Sequence, residues 1–513
     1  MKRAVYVMAA MSIVSVTHAV ALQAAPPGRG TAGGGGTESP TLKALYPGIK
    51  PVLSMDQLKA LKIENTTIDS VTQNNGSIQV TATVTHAPEN DKVKVWIGLP
   101  ANWNGRFEGT GGGGWMGGSA FGINGPVSQG FAAGATDTGH TTFDGSFGLG
   151  ADGKPAWQLI KDCAYQGIHD MTVVGKALTT AYYGKPPKYS YFVGFSQGGR
   201  QALSEVQRFP DDYEGVVSGC PAINWQQFII SDLWPQVAMN AAKDRMPAAK
   251  LRAATQAFIT ACDEVDGVKD GLVEDPSRCT CDLKALVGTQ VGGSEFTATD
   301  AEVLQKIWDG PRGKDGKFLW YGLSKGADLT ALGGAQPFSI SMDWIKYYLV
   351  KDRSWDIAKL TPDEFEKLFH QSVQDWAEIF GTDHPDLTKF RDHGGKVLIT
   401  HGQADQLIPT EGSIDYYKRV MEKMGGRDKT MEFARLFLIP GAGHGFGGIG
   451  DGGLSAVIKW VEKGTAPEKL INGTQSGGKT RTRPLFPYPA LARYKGTGST
   501  DDAANFESYL PKQ

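Results

Sequence analysis

The chain has 513 residues and a formal net charge of −2, with 52 Lys and Arg against 54 Asp and Glu. That length buries a large core and leaves room for two domains. No basic stripe or long charge run stands out, which argues against nucleic acid and anionic membrane surfaces as partners.

Lys2-Arg3 form a basic start and Ala4 to Val16 an apolar run. Ala19-Val20-Ala21 offers a cleavage site, with Ala24 and Ala25 as alternatives. This reads as a signal peptide over 1–25, too short to anchor in a bilayer. Export to the periplasm or outside the cell follows, with no membrane association after cleavage. An exported chain permits disulfides. Five cysteines are present, Cys163, Cys220, Cys262, Cys279 and Cys281, so at least one is free or pairs between chains. Residues 26–41, with Gly33-Gly34-Gly35-Gly36, read as a flexible linker.

A folded core begins at residue 42. Ile68–Val71, Ile78–Val84 and Val93–Leu99 read as antiparallel strands, with Asn74-Asn75-Gly76 as the first turn. Then come Trp103-Asn104-Gly105-Arg106-Phe107 and the glycine run Gly111-Gly112-Gly113-Gly114. Consecutive glycines let a backbone approach a ligand closely with its N–H groups free. In a serine hydrolase, such a loop supplies the second oxyanion donor. No Walker or dinucleotide fingerprint accompanies it, so no organic cofactor is expected. Phe131–Thr136 reads as a strand, and His169–Tyr183 as a helix stopped by Gly184 and Pro186.

Tyr189–Val193 is an apolar strand, followed by Gly194-Phe195-Ser196-Gln197-Gly198 and a helix over Arg200–Phe209. Strand, G-x-S-x-G and helix make the context of a nucleophile elbow around Ser196. Gly215–Gly219 is the next strand. Alternating strands and helices predict an α/β fold with a mostly parallel sheet over 42–222.

From 223 to 385 the strand pattern stops. Seven tryptophans, Trp225, Trp234, Trp308, Trp320, Trp344, Trp355 and Trp376, lie in helical and loop segments. We read this stretch as an inserted lid domain whose tryptophans mostly form its own core. Trp344 and Tyr347 are candidate pocket walls. The run Cys262-Asp263-Glu264-Val265-Asp266-Gly267-Val268-Lys269-Asp270-Gly271-Leu272 is dense in carboxylates and glycines. Its spacing fits an oxygen-ligand Ca²⁺ loop and a solvated acidic loop equally well.

The core resumes over 386–513. Lys396–Thr400 is a strand leading to His401-Gly402-Gln403-Ala404-Asp405, and Leu436–Pro440 a strand leading to Gly441-Ala442-Gly443-His444. The order Ser196, Asp405, His444, each on a loop past a strand, is that of α/β-hydrolases. His140 and His401 compete for the base, and Asp392 for the acid, but Asp392 precedes its strand. In this reading Ser196 is the nucleophile, His444 the base and Asp405 its orienter, with amides of Gln197, Gly112 and Gly113 receiving the oxyanion. Ile408, just beyond Asp405, is a further candidate pocket wall.

With these motifs in place, the chain resembles the tannase/feruloyl esterase family of secreted α/β-hydrolases, which includes a terephthalate-monoester hydrolase. The likeness rests on Trp103–Phe107 with the glycine run, His169-Asp170-Met171-Thr172-Val173-Val174-Gly175-Lys176, Gly198-Gly199-Arg200-Gln201 and Gln207-Arg208-Phe209-Pro210. Cys262-Asp263 to Asp275-Pro276, Arg493-Tyr494-Lys495-Gly496 and Asp501-Asp502-Ala503-Ala504-Asn505-Phe506 extend it. The resemblance implies an α/β-hydrolase fold with a large inserted lid. It also implies a structural Ca²⁺ held by Asp263, Asp266 and Asp270 carboxylates and the Val268 and Leu272 carbonyls, and a Cys262–Cys279 disulfide.

Where the family carries a disulfide beneath the triad, this chain has Phe195 and Gly445. Where it carries another near the C-terminus, this chain has Phe486 and Ser508. Packing around Phe195 must then hold Ser196 and His444 together. The expected activity is that of an exported serine esterase cleaving aromatic acid esters of feruloyl or galloyl type through an acyl-enzyme. Small aromatic diesters such as terephthalate monoesters are the alternative substrates. A non-catalytic binding protein on a hydrolase scaffold is the alternative of another class.

Overall fold

The computed structural model describes residues 42–511 except 75, 446–450 and 477–478. The segments read as signal peptide (1–25) and linker (26–41), and Asn75 of the expected first turn, lie outside the described residues. Nine strands form the central sheet: β1 (Thr66–Asn74), β2 (Ser77–Val84), β3 (Val93–Leu99), β4 (Arg106–Thr110), β5 (Ala132–Thr136), β6 (Tyr189–Phe195), β7 (Gly215–Gly219), β10 (Lys396–Gly402) and β11 (Ala434–Ile439). Their order is β1-β2-β3-β5-β4-β6-β7-β10-β11. A two-residue-strand hairpin, β8 (Gln290–Val291) and β9 (Ser294–Glu295), lies between β7 and β10. Two further hairpins, β12 (Leu470–Ser476) with β13 (Lys479–Leu485) and β14 (Leu491–Tyr494) with β15 (Phe506–Tyr509), finish the chain.

Strands β1 to β3 pair antiparallel, as does β3 with β5, and every pair from β5 to β11 along the sheet is parallel. The parallel strands read as unbroken apolar runs because both their faces are covered. Phe192, Val216, Val397, Ile399 and Leu436 enter one core layer. Their neighbours Tyr191, Val217, Leu398 and Phe437 enter the other, against Val457 and Ile458 of the helix Asp451–Lys463.

Strand β4, which periodicity alone passes over, carries two buried charges, Arg106 and Glu108. Arg106 is clamped by Glu462, Nε to Oε1 at 2.6 Å and Nη2 to Oε2 at 2.7 Å. Tyr191 donates its hydroxyl to the same carboxylate at 2.8 Å. This fork of charge-assisted bonds is what lets a charged strand run through the middle of the sheet.

The helix expected at His169–Tyr183 spans Gly167–Tyr183, follows a π-helical turn at Asp162–Gln166, and ends at Gly184 in the left-handed region. Between β7 and β10 the chain leaves the sheet and folds mainly as helices, including Trp225–Ser231, Ala248–Cys262, Ala298–Asp309 and Pro362–Phe380. Among the described residues, no helix is long and apolar enough to cross a membrane.

Candidate active site

Ser196 sits between β6 and the helix Gln197–Arg208 with φ 61° and ψ −119°. A non-glycine residue in that region is strained, and the surrounding contacts must hold it there. Here they do so by closeness. A Cβ at Gly194 would lie 2.0 Å from the Gly198 carbonyl oxygen, and one at Gly199 would lie 2.6 Å from that of Gly219. The two flanking positions are therefore glycine by steric necessity. Ser196 N–H donates to the Gly219 carbonyl at 2.9 Å.

The other two polar residues of the order read from the sequence converge on this serine. His444 Nε2 lies 2.9 Å from Ser196 Oγ, and His444 Nδ1 lies 2.8 Å from Asp405 Oδ2. Asp405 is fully buried. Its Oδ1 accepts the N–H groups of Leu407 and Ile408, each at 2.9 Å. His401 Nε2 stands 3.3 Å from Oδ2. Burial works against ionisation of Asp405, but hydrogen bonds from His401 and His444 outweigh it and hold the carboxyl well below the usual range. Gln406 Oε1 accepts the His444 backbone N–H at 2.8 Å, fixing the loop that carries the imidazole.

The glycine loop lies beside the elbow, and Gly198 N–H donates to the Gly112 carbonyl at 3.0 Å. One of the three expected oxyanion donors is already engaged: Gly112 N–H donates to Gln201 Oε1 at 2.9 Å. Gly113 faces Met116 across a tight turn, with Met116 N–H donating to Gly113 O at 3.0 Å. Gln197 opens the nucleophile helix, where N–H groups point away from the helix.

The competing histidines have other partners. His140 holds the glycine loop through Trp115 O at 2.8 Å and stacks on Phe147 at 3.7 Å. His401 bonds Ser413 Oγ at 2.8 Å and the Ile408 carbonyl at 3.2 Å. Ile408 thus serves the acid through its backbone on both sides, while its side chain joins the aromatic cluster of the insertion.

Trp344 is not a pocket wall. It is fully buried, donates Nε1–H to Ser372 Oγ at 2.8 Å, and stacks on Tyr348 at 4.8 Å in an aromatic cluster that the insertion shares with Trp115 of the glycine loop. Tyr347 is half-buried, with the Arg353 guanidinium 5.4 Å from its ring. Phe195, standing where the resemblance implies a bridging cysteine, lies with its ring 5.0 Å from the His444 imidazole.

In the insertion, Cys262 and Cys279 form a disulfide across 17 residues. The acidic loop it encloses curls around its own carboxylates. Asp263 Oδ1 accepts the N–H groups of Asp270 at 2.9 Å and Gly271 at 2.7 Å, and Asp266 Oδ1 accepts that of Val268 at 2.9 Å. Asp263 Oδ2, Asp266 Oδ2 and the carbonyls of Val268 and Leu272 have no hydrogen-bond partner among the described residues. Asp270 pairs with Arg483. Burial, together with Asp270 and Asp263, pushes Asp266 up to about 6; burial likewise lifts Glu274 to about 8. An all-oxygen donor set carrying surplus negative charge fits Ca²⁺. These carboxylates are not among the trios of ligating side chains drawn within 4.8 Å of one another.

A parallel sheet with an elbow serine, an acid and a histidine at the carboxyl ends of its strands is an α/β-hydrolase arrangement. Residues 78–509 match the family model described as tannase and feruloyl esterase. A probable feruloyl esterase of Arthroderma benhamiae is 40% identical over 470 residues, covering 86% of each chain. A probable feruloyl esterase B-2 of Aspergillus terreus is 32% identical over 451 residues, covering 81% of this chain and 82% of its own. Crystallised feruloyl esterase B from Aspergillus oryzae superposes with TM-score 0.79 at 28% identity, over 88% of this chain and 98% of its own. Tannin acyl hydrolase from Aspergillus niger superposes with TM-score 0.80 at 25% identity, over 89% and 96%. The chain belongs to the tannase and feruloyl esterase family and is a carboxylic-ester hydrolase of that type.

Three residues that shape this site carry no signature that sequence reading had singled out as functional. Gln201 holds the glycine loop and Gln406 the histidine loop. Arg200, fully buried, gives Nε–H to Gln197 Oε1 at 2.8 Å and its Nη groups to the carbonyls of Ala164 at 2.8 Å and Cys163 at 3.0 Å. Burial lowers its pKa to about 10, with no carboxylate among the described residues in contact to raise it. The run Gly198-Gly199-Arg200-Gln201 was the available signal, since it follows the serine directly.

Proposed function

We propose that Ser196, His444 and Asp405 hydrolyse esters of aromatic carboxylic acids, of feruloyl or galloyl type, through an acyl-enzyme. The observation that carries this reading is the hydrogen-bonded relay from Ser196 Oγ through both imidazole nitrogens to a buried, ionised Asp405. Ser196 Oγ attacks the ester carbonyl while His444 Nε2 takes its proton and passes it to the departing alkoxide oxygen. Water, deprotonated by the same nitrogen, then attacks the acyl-enzyme, and Ser196 regains its proton as the acid leaves. Asp405 fixes the imidazole tautomer and stabilises the imidazolium. The oxyanion is received by the amides of Gln197 and Gly113, since that of Gly112 is engaged by Gln201.

The aromatic acyl group is supported by the relatives' names, feruloyl esterase and tannin acyl hydrolase. Asp263, Asp266, Asp270, Val268 and Leu272 would hold a Ca²⁺, whose charge offsets the surplus of the acidic loop and so braces the insertion. The basic start and apolar run of residues 1–25 support export.

Methyl ferulate, methyl gallate, a terephthalate monoester and p-nitrophenyl acetate, each beside Ser196→Ala, test the proposal. It predicts that a ferulate or gallate ester is cleaved far faster than the acetate and that Ser196→Ala abolishes turnover. Turnover of the acetate alone overturns the substrate class. Unchanged turnover by Ser196→Ala overturns the mechanism.

A further inference from the structure

Outside the triad, a second polar cluster lies beyond the carboxyl end of β5. His86 follows β2, Asp91 precedes β3, and Asp162 and Asp170 come from the π-helical turn and the helix after it. His86 Nδ1 is 2.8 Å from Asp91 Oδ2 and 3.7 Å from Asp162 Oδ1; His86 Nε2 is 3.2 Å from Asp170 Oδ2. Ligating atoms of His86, Asp91 and Asp162 all fall within 4.8 Å of one another.

The site is enclosed. The Asp162 side chain is 0% exposed and that of Asp91 3%. Asp162 Oδ1 accepts Gln158 Nε2–H at 2.8 Å, but Asp162 Oδ2 is buried with no hydrogen-bond partner among the described residues, while Asp170 Oδ2 faces His86 Nε2 at 3.2 Å. Among the described residues, the only basic group paired with these carboxylates is His86. The nearby Lys94 ammonium is engaged by Asp69 and the Thr83 hydroxyl, each at 2.7 Å. Burial, and for Asp162 also contact with Asp91, pushes the Asp162 carboxyl up to about 8; burial pushes that of Asp170 up to about 6.

Three carboxylates and one imidazole hold more negative charge than the imidazole can cancel, and a buried surplus of charge must be neutralised. Either a proton shared between Asp91 and Asp162 or a bound cation does this. The donor set decides between cations. An imidazole with carboxylates suits Zn²⁺ or Mn²⁺, whereas Ca²⁺ prefers oxygen alone. We propose that His86, Asp91 and Asp162, with Asp170 beside them, bind a divalent transition-metal ion at a site distinct from the acidic loop of the insertion.

The ion joins the β2–β3 connection to the turn that carries Cys163 and Ala164. Those two carbonyls receive Arg200, so the metal braces the support behind the nucleophile helix. Ligation needs His86 neutral at its metal-bound nitrogen and Asp162 ionised, so binding releases protons and tightens as pH rises.

The test uses the full mature protein, freed of metal with chelator and returned to excess Ca²⁺ so that the acidic loop is filled. Calorimetric titration with Zn²⁺ is expected to show one tight equivalent per chain and a higher Tm on loading. Asp162→Asn and His86→Gln are expected to weaken that equivalent at least tenfold and to lose the Tm rise. X-ray absorption of the Zn²⁺-loaded wild type reads the ligands without any variant and is expected to show one imidazole with oxygen donors. No tight equivalent, an equivalent equally tight in folded Asp162→Asn, or a spectrum with two or more imidazoles overturns the proposal and leaves a shared proton as the neutralising species.

Discussion

Gln201→Leu isolates what holds the glycine loop over the serine. The side chain is fully buried, and its amide makes two bonds. Oε1 accepts Gly112 N–H at 2.9 Å and Nε2 donates to Gly117 O at 3.2 Å. Leucine fills similar space and offers neither group. Each buried polar group left unpaired is destabilising by about 1–3 kcal/mol, so the loop loses about 2–6 kcal/mol of local stability. What still ties it to the elbow are the bonds from Gly198 N–H to Gly112 O and from Gly111 N–H to Val193 O. A loop weakened by several RT leaves its bound arrangement, and Gly113 leaves with it.

Losing one oxyanion donor lowers kcat by about 10²–10³-fold. We expect Gln201→Leu to lower kcat on methyl ferulate about a hundredfold while KM moves little, because the interaction forms only in the transition state. Gln201→Glu keeps an acceptor for Gly112 and lacks the donor to Gly117, so its kcat should fall between the two. Melting curves in the assay buffer confine the comparison to folded protein. A folded Gln201→Leu enzyme with wild-type kcat would refute the claim that this amide positions the oxyanion loop.

Four further outcomes are expected. Asp405→Asn should cost about 10⁴ in kcat through the wrong imidazole tautomer; and because Asp405 is held below its ordinary value, its stabilisation is full above about pH 4 and lost as pH falls through the folded value. The Tm gap between wild type and Asp405→Asn should therefore be complete at pH 7 and close in strong acid; an equal gap at both ends would sink that account. Removing the Cys262–Cys279 bridge in the double serine variant should lower stability by about 3 kcal/mol for a loop of this length, read by denaturant unfolding of the insertion. Chelator should lower Tm in a way that Ca²⁺ restores and Mg²⁺ does not, and Asp266→Asn should abolish that response. Phe195→Ala removes an aromatic contact worth about 0.5–1.5 kcal/mol beside His444 and should lower kcat several-fold with faster thermal inactivation; unchanged values would show that the ring is only a surface group.

The parts of the fold legible in the sequence are those where one local rule decides. β6, β7 and β10 are covered on both faces and read as apolar runs. The elbow is legible because Gly194 and Gly198 stand where any Cβ meets backbone. β4 was invisible because its Arg106 charge is satisfied by Glu462, 356 residues away, and no local pattern anticipates a partner that distant. Trp344 was misplaced for the opposite reason: a tryptophan in an insertion reads alike whether it faces substrate or its own core, and here the Ser372 hydroxyl and the Tyr348 ring take it inward. Gly112 failed as a donor on a single side-chain bond that the glycine run does not encode. Gln201 lay within a recognised motif, yet its role depends on a loop almost 90 residues earlier in the chain.

How the insertion sits on the core bears on how the enzyme selects its substrate. Trp115 belongs to the glycine loop, yet it is 1% exposed because it stacks on Tyr348 at 5.0 Å and meets Trp225 edge-on at 5.0 Å, both in the insertion. Arg200 belongs to the nucleophile helix, and its guanidinium lies 5.9 Å from the Trp225 ring and 5.5 Å from that of Phe380. Swinging the insertion away would uncover these four aromatic side chains at about 2–3 kcal/mol each, before counting the cation–π contacts. A change of that size keeps the open form below about one molecule in ten thousand. It would also bare a guanidinium whose position fixes Gln197, next to the serine. The same contacts that close the aromatic cluster therefore set the elbow, and the insertion acts as a fixed wall. Selection among esters then rests on fit to a preformed surface, so that enlarging the acyl group should raise KM and lower kcat together without any lag attributable to closure.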